Sequence, residues 1–240
     1  MKCAIFGDVH SNYDALKVVL ADIEREKPDA IYCAGDIVGY GAEPSPCIEA
    51  VRALCCPTVA GNHDHAVAGR LATEFFHTDA VKGIWWTRSK LSAAEVEYLG
   101  SLELVEDTQA GMLVHSTPAD PAGFGYVFSL PEAMQAFDAM TREVCFIAHS
   151  HIPVTFWLGD DIHVENAPRM ILGKAEKALI NVGSVGQPRD RNPRAAYALY
   201  DAESRRLEIR RLEYDWESAA QKILGAGLPG ANAYRLALGA

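Results

Sequence analysis

The chain has 240 residues, 49% of them hydrophobic and 22% charged, and its 32 acidic residues outnumber 22 basic ones for a net charge of −10. A chain of this length can bury a large core as one domain spanning 1–240, and its acidity disfavours nucleic acid as a partner, because counterion release needs a broad cationic face. No apolar run approaches the roughly 18 residues that cross a bilayer, so neither membrane anchoring nor export is expected; six cysteines without C-x-x-C spacing read as reduced thiols of a cytoplasmic protein.

Lys2 to Phe6 reads as a buried strand and Asp14 to Glu26 as a helix, with Leu16, Val19, Leu20 and Ile23 at helical spacing and Ser11 or Asn12 as its cap. Ala30 to Ala34 is a second strand, Pro46 to Leu54 a second helix, and Pro57 to Ala60 a third strand. Alternating strands and helices favour an α/β architecture with largely parallel pairing. Ala66 to Leu102 reads as helical, with Ser92 and Glu95 spaced as a capping box. Leu104-Val105 and Met112 to Val114 then flank a turn, and Leu130 to Met140 is a helix capped by Ser129. Val144 to Ala148, Val154 to Leu158, Ala178 to Val182, Ala195 to Tyr200 and Leu207 to Leu212 read as strands.

Residue types that coordinate metals fall just past the carboxyl ends of these strands. Asp8 and His10 follow the first, Asp36 the second and Asn62-His63 the third, while His115, His149 and His151 follow two later ones. In open α/β sheets ligands bind at that edge, so distant residues would converge on one crevice. Each Asp or His alone reads as a cap, a turn or a satisfied core residue. Jointly, the pairs Asp8/His10 and His149/His151, each at i and i+2 on what an extended strand end would aim to one side, point to a two-metal site with a shared carboxylate.

The ordered blocks Asp8-Val9-His10, Gly35-Asp36, Gly61-Asn62-His63-Asp64, His115 and Ala148-His149-Ser150-His151 resemble the calcineurin-like metallophosphoesterase family. The stretch Asn181 to Arg189 is similar to the small bacterial and archaeal branch, and so is Ala195 to Asp201. The resemblance implies an αββα sandwich of two mixed sheets. It also implies one metal on Asp8, His10, Asp36 and His151, and a second on Asp36, Asn62, His115 and His149, with Asp36 bridging. By the same resemblance His63 binds no metal and acts on the leaving oxygen or on charge at phosphorus. Its implied chemistry is in-line attack of a bridging hydroxide on small phosphodiesters or on nucleotide polyphosphates, as in diadenosine tetraphosphate hydrolases. Imidazole, carboxylate and amide donors without thiolate suit Mn²⁺, Fe²⁺ or Zn²⁺.

The sequence also departs from the family. Where the resembled Ser/Thr phosphatases continue their second block with Asp-Arg-Gly, this chain has Gly39-Tyr40-Gly41, which disfavours a phosphoprotein phosphatase. Ala148 and Val114 stand where Gly is common, changes small enough to leave the ligands in place. Candidate substrate contacts are His65, Arg70 and Arg189, the last in a cluster with Arg191 and Arg194 that reads equally well as a solvated loop. Phe75-Phe76-His77, Trp85-Trp86 and Phe124-Gly125-Tyr126 could stack on a nucleobase or pack between helices. The competing functions are a non-catalytic scaffold that binds protein partners, against which the intact ligand set counts, and a nuclease, against which the charge counts.

Overall fold

A computed structural model describes residues 1–74 and 76–240. Strand β1 (Lys2–Phe6) leads to helix α1 (Tyr13–Glu26), started by Asn12, whose side chain accepts the Ala15 amide at 3.1 Å. β2 (Ala30–Cys33) and α2 (Pro44–Ala53) follow. The stretch expected as one helical run holds α3 (Asn62–Ala68), α4 (Thr78–Lys90) and α5 (Ala93–Ser101) instead. Gly69, at φ 74°, ends α3, and the expected capping box at Ser92 and Glu95 starts α5.

Beyond them lie β3 (Val105–Thr108), β4 (Gly111–Val114), α6 (Leu130–Ala139), β5 (Val144–Ile147) and β6 (Val154–Leu158). Ser129 starts α6, and Glu132 accepts its amide at 2.8 Å. β7 (Ile162–Glu165), β8 (Arg169–Ile171), β9 (Lys177–Asn181), β10 (Ala195–Asp201), β11 (Arg206–Leu212), α7 (Trp216–Gly225) and α8 (Gly230–Leu238) complete the chain.

The strands form two sheets, ordered β2-β1-β10-β11-β8 and β3-β4-β5-β9-β6-β7. Pairing is mixed, which corrects the expectation of largely parallel strands. Only β1–β2, β4–β5 and β5–β9 are parallel among the named pairs. Antiparallel hairpins such as β10–β11 and β6–β7 enter each sheet because short turns join them. Pro57 to Ala60 makes only single bridges, Thr58 to Cys33 and Val59 to Glu103, before the chain turns at Gly61 into α3; Pro57 also lacks a ladder donor.

Alternation along the strands sets the layers. Ala4 and Phe6 face a helical layer with Leu16, Val19, Ile23, Ile48 and Val51, while Cys3 and Ile5 face the second sheet. From that sheet Val144, Phe146, Ala178 and Ile180 meet them, and Cys145, Ile147 and Leu179 on the opposite face pack against Ala133, Ala136 and Phe137 of α6. The result is the expected helix–sheet–sheet–helix stack. The pair α7–α8 adds its own apolar cluster, Ala219, Ile223, Ala233 and Leu236, against Ala42 and Trp86.

One buried carboxylate ties the helical layer to its sheet. Asp22 of α1 accepts hydrogen bonds from the Tyr197 hydroxyl of β10 at 2.8 Å and from Arg210 of β11 at 3.0 Å. Burial opposes its charge, but these donors win and hold its carboxyl below the usual range. Asp22→Ala is expected to cost about 3 kcal/mol in urea unfolding, at the low end for a broken buried pair because Arg210 keeps some contact with water. A carboxyl with a lowered folded pKa stabilises fully above its unfolded pKa and loses that contribution as pH falls through the folded value. Asp22→Asn should therefore flatten the acid limb of the stability profile below about pH 4, and an unchanged limb would contradict this role.

Candidate metal centre

Asp8 and His10 lie past β1, Asp36 past β2, Asn62 and His63 in the first turn of α3, His115 past β4, and His149 and His151 past β5. β1 and β2 are neighbours in one sheet, β4 and β5 in the other, so the strand ends meet across the sandwich. The paired ligands are not aimed by an extended strand end, however. Asp8 (φ 49°), His10 (49°), Asp36 (52°), His149 (65°) and His151 (61°) all sit in the left-handed region. That costs a non-glycine residue on the order of 1–3 kcal/mol, and it persists only where surrounding bonds impose it.

Those bonds are present. The amides of Asp8, His10 and Ser11 donate to the carbonyls of Gly35, Asp36 and Ile37 at 2.9, 2.9 and 3.0 Å, zipping the first two loops together. The segment after β9 braces the rest. Asn181 Nδ2 donates to the Ala148 carbonyl at 2.6 Å, Ser184 Oγ donates to the Asp8 carbonyl at 2.9 Å, and the Gly186 amide donates to the same carbonyl at 2.9 Å. Gly61 lets α3 approach, since a Cβ there would collide with the Asp36 carboxylate.

Three backbone carbonyls orient the imidazoles. Nδ1 of His10 faces Val38 O at 3.1 Å, Nδ1 of His115 faces Ala34 O at 2.7 Å, and Nδ1 of His151 faces Gln187 O at 2.6 Å. A carbonyl oxygen only accepts, so each Nδ1 carries the proton and each neutral ring presents its Nε2 lone pair inward. The Nε2 atoms of His10 and His151 then oppose each other at 3.1 Å, and Nε2 of His115 stands 3.2 Å from Nδ1 of His149. Asp36 Oδ1 accepts the His63 amide at 2.8 Å, while Oδ2 lies 3.5 Å from His10 Nε2 and 3.4 Å from His115 Nε2.

Both Asp8 carboxylate oxygens, Asn62 Oδ1 and His149 Nε2 are buried without a hydrogen-bond partner among the described residues. Each such atom costs about 1–3 kcal/mol and a charge costs more, so converging lone pairs with nothing to receive them fit cations. Ligand-type atoms lie within 4.8 Å of one another in the groups Asp8/His10/His151, His10/Asp36/His63 and Asp36/His115/His149, which could hold metal ions. His63 falls within one of these groups, so proximity alone does not separate it from the ligands. Ala148 and Val114 leave His115 and His149 in the cluster.

The protein groups by themselves form a strained electrostatic set. Burial, with Asp36 alongside, pushes Asp8 up to about 8. Burial opposes charge on Asp36 too, but the His115 and His63 imidazoles overcome it and hold that carboxyl well below the usual range. Burial likewise resists protonation of His115, yet Asp36 and Asp8 lift it to about 9. Burial drives His63 down to about 4 and His149 to about 3, and His10 and His151 well below their ordinary value. A bound cation reverses this logic by favouring carboxylate and neutral imidazole throughout.

A cleft of about 550 Å³ opens over the cluster, with Asn62, His63 and His149 in its wall beside Tyr40, Phe76, Phe124, Tyr126 and Arg189. Arg189 reaches it with its guanidinium 5.6 Å from the Tyr40 ring, which itself lies 4.4 Å from the His63 ring. His65 is turned away and faces the Leu102 carbonyl at 3.2 Å, and Arg70 lines a separate groove beside Arg88 and Glu97. Arg191 and Arg194 lie in another groove, where Arg194 pairs with Glu213 at 2.8 Å. Tyr126 stacks on His149 at 4.2 Å, whereas Trp86 packs against the α7–α8 cluster and Trp85 is exposed. Phe75 lies outside the described residues. Arg235 of α8, which also lines the cleft, was not anticipated, because one arginine on an amphipathic helix reads as a solvated face.

A family model described as the calcineurin-like phosphoesterase superfamily domain matches residues 1–205. An uncharacterized protein of Methanocaldococcus jannaschii is 37% identical over 241 residues, covering 98% of this chain and 97% of that one. The crystal structure of a metallophosphoesterase from Sphaerobacter thermophilus shares 35% identity and a TM-score of 0.88, covering 100% of this chain and 99% of that one. A hypothetical protein from Pyrococcus horikoshii OT3 shares the fold at a TM-score of 0.81 and 22% identity, covering 100% and 98%. With the motifs, the two mixed sheets and the clustered strand ends in agreement, the chain belongs to the calcineurin-like phosphoesterase superfamily.

Proposed function

We propose that residues 1–240 form one metal-dependent phosphoesterase domain that hydrolyses small phosphodiesters or nucleotide polyphosphates. The observation that carries this reading is the position of Asp36 Oδ2, 3.5 Å from His10 Nε2 and 3.4 Å from His115 Nε2, between two sets of inward-facing donors. One divalent ion would be held by Asp8, His10, Asp36 and His151, the other by Asp36, Asn62, His115 and His149. The donor mix suits Mn²⁺, Fe²⁺ or Zn²⁺. Bound there, such ions supply Lewis-acid polarisation of phosphoryl oxygens and lower the pKa of a water toward neutrality.

The chain's own residues do the rest. The Val38, Ala34 and Gln187 carbonyls keep His10, His115 and His151 in the ligating tautomer. His63 stands in the cleft wall, its amide tied to Asp36 and its Nδ1 unpartnered. An incoming phosphate raises the pKa of this imidazole, which then carries the proton and delivers it to the leaving oxygen. Arg189, over Tyr40, supplies beside the cluster a positive charge for substrate phosphate that Gly39-Tyr40 cannot. Phe76, Phe124 and Tyr126 offer apolar and stacking surface to an organic leaving group.

Purified protein should hold two transition ions per chain by elemental analysis and turn over bis-para-nitrophenyl phosphate in Mn²⁺. His63→Ala should lower kcat by about 10²–10⁴-fold while the metal content stays at two. A metal-free protein inert toward a panel of phosphate mono- and diesters and nucleotide di-, tri- and tetraphosphates would overturn the reading in favour of a scaffold.

Gly61→Ala supplies an independent check. Its added methyl has to displace the Asp36 carboxylate, so metal stoichiometry should fall at once, with a loss of about 1–3 kcal/mol in stability from overpacking. Full metal content in that variant would show that Asp36 does not join the two ions.

A further inference from the structure

The cleft wall is cationic in an acidic protein. Its lining includes Arg189 and Arg235 and no Asp or Glu. Several other arginines are paired: Arg194 with Glu213, Arg210 with Asp22, and Arg211 with Asp190. Among the described residues neither cleft arginine forms an ion pair. Arg189 Nη2 donates to Gln187 Oε1 at 2.9 Å, and its Nε is buried without a partner. Leaving a buried guanidinium nitrogen unsatisfied is costly unless a ligand receives it.

Arg235 comes from α8, beyond residues 1–205 matched by the family model, and the helix is fixed to both loops that border the cleft. Asn232, buried and one turn before Arg235 on the same face, donates from Nδ2 to the Tyr40 carbonyl at 3.5 Å. At the other end the Arg191 amide donates to the Gly239 carbonyl at 2.8 Å, two residues past Arg189. Gly239 ends α8 at φ 63° with its Cα pressed against Asn192, so close that a Cβ would lie 2.6 Å from the Asn192 nitrogen. Ala233 and Leu236 pack onto Ala219 and Ile223 of α7. The helix therefore cannot slide without moving the Tyr40 and Arg189 loops, and its Arg235 lines the cleft. Both arginines line the same cleft, Arg189 with its guanidinium 5.6 Å from the Tyr40 ring.

We propose that Arg189 and Arg235, in the wall of the same cleft, form a second anion subsite, so that the cleft selects substrates carrying a diphosphate or longer phosphate chain over those with one phosphate. This rests on the phosphoesterase reading of the metal cluster. A planar guanidinium matches phosphoryl oxygens in paired hydrogen bonds, and two of them facing one wall favour two linked phosphates. The terminal phosphoryl group then lies on the Asp8–His151 cluster, the neighbouring one on the arginines. Phe124, Tyr126 and Phe76 lie in the same wall for an aromatic end group, such as a nucleobase. Specificity for the phosphate chain thus comes from the C-terminal helix, and the chemistry from the sandwich.

The test is calorimetric titration of the metal-loaded protein with methylenediphosphonate and with methylphosphonate, neither of which is hydrolysed. The wild type should bind the diphosphonate at least about tenfold more tightly. Arg235→Ala should shrink that ratio to about threefold or less, and Arg235→Lys, which keeps the charge but not the fork, should fall between. A retained ratio in Arg235→Ala, or no preference in the wild type, would overturn the subsite. Arg235 is exposed and makes no ion pair among the described residues, so the variant's thermal melting should match the wild type and keep the comparison valid. Hydrolysis of bis-para-nitrophenyl phosphate is measured alongside. Turnover without diphosphonate preference sinks only this proposal, whereas absent turnover across the ester panel sinks the phosphoesterase reading.

Discussion

Two carboxylates and five imidazoles are packed together away from water, with their lone pairs directed at one another. Every other part of the structure near the cleft accommodates that arrangement. Without positive charge at the centre, burial pushes Asp8 toward its neutral, protonated form, while the neighbouring Asp36 and Asp8 hold a proton on His115 against the same burial. A protein that merely needed a stable core would have filled this space with apolar side chains, since even a well-paired buried ionic cluster seldom outperforms them. The arrangement is maintained against its own electrostatics, and the zipped loops and the brace from the segment after β9 maintain it.

Backbone strain extends the same reasoning. Five residues of the cluster hold left-handed φ values that cost energy one by one. They are imposed by hydrogen bonds running in from elsewhere: Gly35, Asp36 and Ile37 carbonyls hold the first loop, and Asn181 and the Gln187 carbonyl hold the loop after β5. The Asn181 to Arg189 segment has no residue in the cluster, yet it touches the Asp8 loop and both ends of the His149–His151 turn. Its polar side chains are a supporting shell around the cluster, and this makes physical sense of the stretch that resembled the small bacterial and archaeal branch.

Much of this was legible in the sequence, and for identifiable reasons. Continuous apolar runs in Lys2–Phe6 and Val144–Ile147 mark strands buried on both faces, and the Asp and His residues at their ends mark the crevice. The antiparallel insertions were not legible in the strand–helix alternation, because which strand inserts beside β1 depends on the approach of β10 from 195 residues away in the chain. β7 and β8 are short and largely exposed, so no hydrophobic period announces them. The left-handed cluster residues are hidden for a different cause: Asp and His are also ordinary strand-end residues, and only long-range hydrogen bonds decide their φ. Arg70 and His65 were drawn to the site by closeness in sequence to His63, but α3 is a helix, and its turn points them toward Leu102 and α5.

The replacement of Asp-Arg by Gly39-Tyr40 shows how a binding wall can be rebuilt from distant parts. Gly39, at φ 102°, brings the backbone so close to His63 that a Cβ would stand 2.5 Å from its Nδ1, leaving no room for an orienting carboxylate there. Tyr40 instead packs its ring against both His10 and His63, at 4.7 and 4.4 Å, and so restrains the imidazole by contact rather than by charge. On the proposed reading, positive charge for an anionic ligand comes from outside the second loop, with Arg189 on a later loop and Arg235 on the last helix placed in the cleft wall. An imidazole held by packing and kept neutral by burial responds to the charge of whatever enters the cleft. An orienting carboxylate would have fixed its protonation beforehand, so on the proposed reading the departure from the phosphatase pattern would couple proton delivery to occupancy by an anion.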